Sequence, residues 1–358
     1  MLSKDMHMKH KIGCWLHERW RVELVLRFPR LARRCGLSWE DFCNRHERLI
    51  PGPNGRGRLC TWEDSSTLTV ARVFPHVGGR IFQHCLRQWP IELDDVPRAE
   101  PPAHPDVSVV VGVRGTKRLP QFHACLASLR GQKDIVCETV VVEQSRVAEF
   151  RDLVPADVQY VHQPIPSADV PFNRSWALNL GARVARAPII VLFDADMLLP
   201  EKGAAALANC LQREADAVRI ARLLFYLDRT SSELVQQTRD FATATSVGRI
   251  VENNPTPVAV RRDCYLEIGG HDESFFGWGG EDNEFTDRLR TRRYCEAAFL
   301  PIVHLWHEEA PNRSGDRNAP LLARLREIPP NERIRALAAR DFGRLSPSVE
   351  WAPSPQLQ

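Results

Sequence analysis

No stretch of the 358-residue chain approaches the ~20 consecutive apolar residues that a helix needs to cross a bilayer. The N-terminus, Met1 to Ile12, is polar and bears histidines, without the apolar region of a signal peptide. A soluble, cytoplasmic protein is the expectation. The 10 cysteines include no Cys-x-x-Cys pair, which argues against a zinc knuckle or a thioredoxin-like site. Several stand in apolar runs and read as small core residues. Charge of one sign is also lacking: a formal net charge of +3 gives no bulk case for nucleic acid or membrane as a partner. There is no internal repeat and no low-complexity segment. What is present, 43% hydrophobic and 26% charged residues, suits one large α/β domain with appendages, or two domains.

Residues 1–96 carry no functional signature and read as a mainly helical region. Trp15 to Arg34 has the look of an amphipathic helix interrupted near Pro29. Its arginines could touch phosphate or anionic lipid, at a peripheral position on the inner face of a membrane; a solvated helix face is the simpler reading. His7, His10 and His17 are too loosely placed for a metal site. Ser38 is a helix N-cap with an acid three residues on. Pro51 to Gly57 is a loop, Thr67 to Phe74 alternates like a strand, and Ile81 to Trp89 reads as a short helix. Residues 97–106, with Pro101, Pro102 and Pro105, form a linker.

The pattern then changes. Val107 to Val113 is a β-branched run of the kind buried on both faces of a parallel sheet. A helix at Pro120 to Leu129 follows. Next come a strand at Glu138 to Val142 ending in Glu143, a short strand at Val158 to Val161, a helix at Trp176 to Ala187 and a strand at Pro188 to Phe193. This alternation predicts a Rossmann-like, doubly wound α/β fold. Ligands bind such sheets beyond the carboxyl ends of the strands. Here those ends are Arg114, Glu143 and Asp194-Ala195-Asp196. Residues two apart in extended chain point the same way, so Asp194 and Asp196 can face one cation, and hard oxygen ligands suit Mg²⁺ or Mn²⁺.

The densest stretch is Phe275-Phe276-Gly277-Trp278-Gly279-Gly280-Glu281-Asp282-Asn283-Glu284-Phe285. Its glycines permit positive φ, Trp278 offers a flat apolar face, and Glu281 and Asp282 fall in the first turn of a helix. The bland alternative is an acidic helix N-terminus entered through a glycine turn. The run also looks like the signature of cyclic-dinucleotide synthases, but extra residues separate Gly280 from Phe285. Downstream, His304 and His307 flank Trp306 after another buried run, and one of them is expected to bind metal. Leu321 to Phe342 reads as an arginine-rich helical tail, Asn312 to Gly315 as a mobile loop, and Ser346 to Gln358 as disordered.

As a set, Phe172 to Gly181, Asp194 to Asp196 and Gly277 to Asp282 resemble the motifs of GT-A glycosyltransferases. The likeness is greatest to the β-1,4-galactosyltransferases and the bacterial chondroitin-type polymerases that share their C-terminal module. It covers roughly residues 106–312. The resemblance implies a GT-A domain over 107–315, with a nucleotide-sugar half at 107–200 and an acceptor and metal half at 250–312, followed by a tail over 316–358. It also implies roles. Arg114 and Glu143 would contact base and ribose, Arg174 the diphosphate, Asp194 the donor's ribose or sugar, and Asp196 the metal. His307 aligns better than His304 as a further metal ligand. Asp282 would be the base on the acceptor hydroxyl, Glu281 its helper, and Trp278 with Gly279 and Gly280 the acceptor platform. The methionine that ligates metal in animal galactosyltransferases has no counterpart, which weakens a preference for Mn²⁺.

The activity so implied is metal-dependent transfer of a sugar from a nucleotide-sugar, UDP-linked by expectation, to a saccharide or glycoconjugate hydroxyl with inversion, as in polysaccharide biosynthesis. The alternatives are a catalytically silent carbohydrate-binding or scaffold protein, and a nucleotidyltransferase. The latter gives the Trp-Gly-Gly-Glu-Asp run no evident job.

Overall fold

A computed structural model describes residues 8, 11–213, 215–244, 246–308 and 318–344. The expected loop at Asn312 to Gly315, the C-terminal segment from Ser346, and His7 and His10 lie outside them. The centre is a seven-stranded sheet in the order Tyr294–Cys295, Ala217–Arg219, Val258–Arg261, Ile189–Asp194, Val107–Val113, Cys137–Ser145, Val158–Pro164. The strands Val107–Val113, Cys137–Ser145, Val158–Pro164 and Ile189–Asp194 run parallel, as the β-branched runs predict. Val258–Arg261 runs antiparallel to both of its neighbours.

Side chains alternate across the sheet, and each face has its own core. Val107, Val109 and Val111 pack with Phe122, Cys125 and Leu129 of the helix Leu119–Arg130. On the other face Val110, Val140 and Val142 meet Ala177, Leu178 and Leu180 of the helix Arg174–Val184. This is the layered mixed α/β architecture of the GT-A fold. Gly181 of that helix lies directly over Val110, and a Cβ built on it would come 2.1 Å from Val110 Cγ1. Gly181→Ala is therefore expected to cost about 1–3 kcal/mol, read as a lowered urea midpoint, because neither the strand nor the helix can retreat.

A second sheet of five strands has the order Ser66–Thr67, Val247–Glu252, Ala221–Leu227, Leu300–His304, Met197–Leu198. The N-terminal stretch is built into it. Thr67 pairs with Val251, and Val77, Ile81, Phe82 and Cys85 of the helix Pro75–Gln88 share a core with Leu198, Phe225 and Val303. The strand expected over Thr67 to Phe74 is corrected: only Ser66–Thr67 is extended, and Thr69–Val73 is helical. Its alternating Val70, Ala71 and Val73 also suit a short helix whose last residue leads into Pro75. The Ser38 cap is as expected: its hydroxyl accepts from Glu40 N, while Asp41 reaches back 2.7 Å to Ser38 N.

The tail is two helices, Ala319–Arg326 and Pro330–Ala338, separated at Pro329. The second packs on the core through Arg333, Ile334 and Leu337. All 10 cysteines are free thiols, and Cys14, Cys85, Cys125 and Cys264 are buried. Among the described residues, no helix is long and apolar enough to cross a membrane.

Candidate active site

Two local features put the acidic pair in place. Gly277, Gly279 and Gly280 all take positive φ, between +78° and +93°, which lets the chain turn sharply and start the helix Glu281–Leu289 at Glu281 itself. Asn179 then holds the preceding segment. Its Oδ1 accepts from His271 N at 2.8 Å and from the Tyr265 hydroxyl at 2.7 Å, while its Nδ2 donates to His271 O and Glu273 Oε1. Trp278 stands out from the turn with its side chain 56% exposed.

Asp282 meets Asp194 through one guanidinium. Arg174 Nε donates to Asp194 Oδ1 at 2.8 Å, and its Nη1 donates to Asp282 Oδ1 at 2.8 Å. Residues far apart in sequence, on the first turn of the helix Arg174–Val184, at the end of the strand Ile189–Asp194 and on the glycine-entered helix, thus share a single charge. His271, fully buried and stacked on Phe285, brings Nε2 to 3.5 Å from Asp282 Oδ1. Its Nδ1 lies 3.0 Å from the Tyr265 hydroxyl.

Burial alone would raise the pKa of Asp282, but Arg174 and His271 outweigh it and hold the carboxyl below its ordinary value. Glu281 goes the other way. Burial, then the neighbouring Asp282 charge, push it up to about 7, and its Oε2 has no hydrogen-bond partner. Two adjacent carboxyls with pKa values driven apart can divide the states of one proton, one ionised and the other protonated.

Asp196 lies on a different set of neighbours. Strand pairing of His304 with Met197 and of Val303 with Leu198 carries the end of Leu300–His304 to the Asp-Ala-Asp turn. His307 Nε2 is then 3.2 Å from Asp196 Oδ2, and His304 Nε2 is 3.5 Å from Oδ1. The ligand atoms of these three residues all lie within 4.8 Å of one another. His307 Nδ1 sits 2.8 Å from Glu308 O, an acceptor only, so a proton on Nδ1 serves that carbonyl and leaves Nε2 turned to Asp196, where it can bind a cation once its own proton is released. His304 Nδ1 is buried without a hydrogen-bond partner. Burial would raise the pKa of Asp196, but His304, His307 and Arg118 overcome it and hold the carboxyl well below the usual range. Two imidazoles and one carboxylate fit Mn²⁺ or a similar transition ion better than Mg²⁺, which prefers oxygen throughout.

Both histidines, and not one or the other, join Asp196. Asp194 does not belong to that group, because its carboxylate is held by Arg174. Arg114 is engaged within the protein. It donates through Nε to Gln144 O, through Nη1 to Val170 O and through Nη2 to Gln144 Oε1, bracing two strand-end loops. Burial pulls its pKa down to about 10. Glu143 is fully buried and accepts from Ser145 Oγ, Glu149 N, Phe150 N and the Tyr160 hydroxyl. These protein donors let it shape the loop after its strand. Arg174 is engaged by two carboxylates.

The sequence reading missed Arg118, His271 and Tyr265. Arg118 Nη1 donates to Asp196 Oδ2 at 3.0 Å from a side chain that is still partly exposed. Only the Gly269-Gly270 pair before His271 marked that residue, and a buried histidine has no signature of its own.

A family model described as glycosyltransferase like family 2 matches residues 108–312. Chondroitin synthase of Escherichia coli is 25% identical to the chain in an alignment 268 residues long that covers 63% of this chain and 38% of that protein. The chain therefore spans well under half the length of this curated relative.

Proposed function

Because the chain belongs to the glycosyltransferase like family 2, its match taking in more than half of the sequence, we propose that it moves a sugar from a UDP-linked donor to a saccharide or glycoconjugate hydroxyl with inversion. The observation that carries this reading is the Arg174 clamp, which sets Asp282 beside the Asp-Ala-Asp strand end while Asp196 gathers two histidines. We assign catalysis to the unit over residues 107–315 and treat residues 1–96 as its structural partner.

In this reading Asp196, His304 and His307 would hold a divalent ion, Mn²⁺ by the chemistry of the donor set. Such an ion supplies charge neutralisation for a departing diphosphate. The protein's own residues do the rest. Asp282, ionised by Arg174 and His271, accepts the proton of the acceptor hydroxyl as that oxygen attacks the anomeric carbon from the face opposite the leaving group. Glu281, lifted to about 7 by burial and the Asp282 charge, is the member of the pair that can carry a proton, and in that state it donates a hydrogen bond to the acceptor instead of competing for its proton. Trp278 gives the acceptor ring a flat face to lie on. Arg174 acts as a positioning residue that fixes Asp194 and Asp282 at a common distance.

The experiment is a panel of nucleotide-sugars assayed for binding and slow hydrolysis, with and without Mn²⁺ or Mg²⁺, on the wild type and Asp196→Ala. The expected result is metal-dependent turnover of one UDP-sugar, with Mn²⁺ preferred, and its loss in the variant. A folded protein that binds no nucleotide-sugar would overturn the reading in favour of a scaffold.

A further inference from the structure

The N-terminal helices leave an apolar face in solvent. Residues 11–27 run as one helix, with a π-helical turn at Trp15–Arg19, and bend at Phe28 into Pro29–Arg34. One side is spent on the fold: Cys14, Glu18, Val22, Val25 and Ala32 are buried. The rest of the surface should then be polar, as in a solvated helix. It is not. Ile12, Trp15, Leu16, Trp20, Phe28 and Leu31 are each between 47% and 59% exposed. Ile12, Leu16 and Trp20 follow one another at four-residue spacing, so they lie along one side of the helix, with Trp15 next to them. Phe28 and Leu31 continue the apolar series beyond the bend. Other large exposed apolar residues, such as Ile50, Val96 and Val147, are scattered along the sequence.

The charges around this face have one sign. Lys11, Arg21, Arg30, Arg33 and Arg34 are exposed. The two acids within residues 11–37 do not offset them: Glu18 is buried, and Glu23 is held by Arg27 at 2.7 Å and Arg80 at 2.9 Å. Exposed Trp and Leu bordered by arginine is the make-up of a helix that lies in the plane of an anionic lipid surface. A second copy of the chain fits poorly. A two-fold contact would bring this basic face against a second copy of itself, arginines of one segment against those of the other, with no exposed acid in the segment to pair with them.

We propose that residues 11–34 form a peripheral membrane-binding face, with Ile12, Leu16, Trp20 and Phe28 entering the headgroup region of an anionic bilayer and the arginines holding its phosphates. This inference is independent of the catalytic reading.

The test is co-sedimentation of the full chain with vesicles of phosphatidylcholine alone and of phosphatidylcholine mixed with phosphatidylglycerol, at low and high salt. Binding is expected to the mixed vesicles, weakened by salt. Arg30→Glu with Arg33→Glu and Arg34→Glu should lower the partition about a hundredfold. Leu16→Ser with Trp20→Ser should lower it by a similar factor and leave salt dependence in what remains. All five positions are exposed, so an unchanged melting temperature will show that both variants fold. The proposal is overturned if the wild type stays in solution with anionic vesicles, or if both variants sediment like the wild type. It is equally overturned if Leu16→Ser with Trp20→Ser abolishes a concentration-dependent dimer and vesicle binding is nil, since the occupant is then a second copy.

Discussion

Asp282→Asn is expected to slow sugar transfer by about 10²–10⁴-fold, the usual contribution of a positioned general base, with donor affinity unchanged. The amide is nearly isosteric and keeps an oxygen for Arg174 Nη1, so the clamp on Asp194 persists while the proton acceptor is lost. The measurement is transfer to acceptor, slow donor hydrolysis and donor binding on one preparation. A large loss of transfer with binding intact supports the assignment. If Glu281→Gln proves the more damaging of the two, the roles of the acids are the reverse of those drawn above. The electrostatics favour the order given: Arg174 and His271 keep Asp282 ionised, whereas burial beside that charge lifts Glu281 to about 7.

Glu284→Gln is the second large effect, on stability. Glu284 is fully buried, as is Arg288, which donates to it through Nε at 2.8 Å and Nη2 at 2.6 Å. Arg333, from the C-terminal helix Pro330–Ala338, adds a bond to Glu284 Oε1 at 2.9 Å. Removing the shared anion leaves the buried Arg288 guanidinium without a countercharge and Arg333 with only Asp287, 3.7 Å away, at a cost of about 3–5 kcal/mol. Urea unfolding should show a lowered midpoint with an unchanged slope. Replacing all three residues together by apolar ones of similar size should cost far less, because the penalty comes from the unpaired charges. The helix concerned is the one that carries Glu281 and Asp282, so Glu284→Gln should also lose activity at temperatures where the wild type is still folded.

Much of this could be read from the chain. Buried parallel strands announce themselves as β-branched runs because both faces are covered, so Val107–Val113 and Ile189–Asp194 were visible with their ends. Asp196 was marked by its place after such a strand, and Asp282 by the glycines that start its helix. The protein contacts of Arg114 and Glu143 were not legible, for a common reason. A strand end says where a side chain begins but not which way it turns. Glu143 turns inward to four donors, and Arg114 folds back on two carbonyls and an amide. His271 and Arg118 were missed because neither belongs to a local pattern.

By itself the sequence determined the elements of the parallel part of the central sheet, the two acid-bearing motifs and the glycine turn, all of which depend on neighbours within a dozen residues. Tertiary structure alone decided which charges meet. The Arg174 guanidinium chooses Asp194 and Asp282 because a helix, a strand end and a distant turn converge there. His304 and His307 reach Asp196 because one strand pairs with Met197–Leu198. The N-terminal helices show an apolar and basic face because the buried side was already taken by Val22 and Val25. These are long-range pairings, and no local periodicity encodes them.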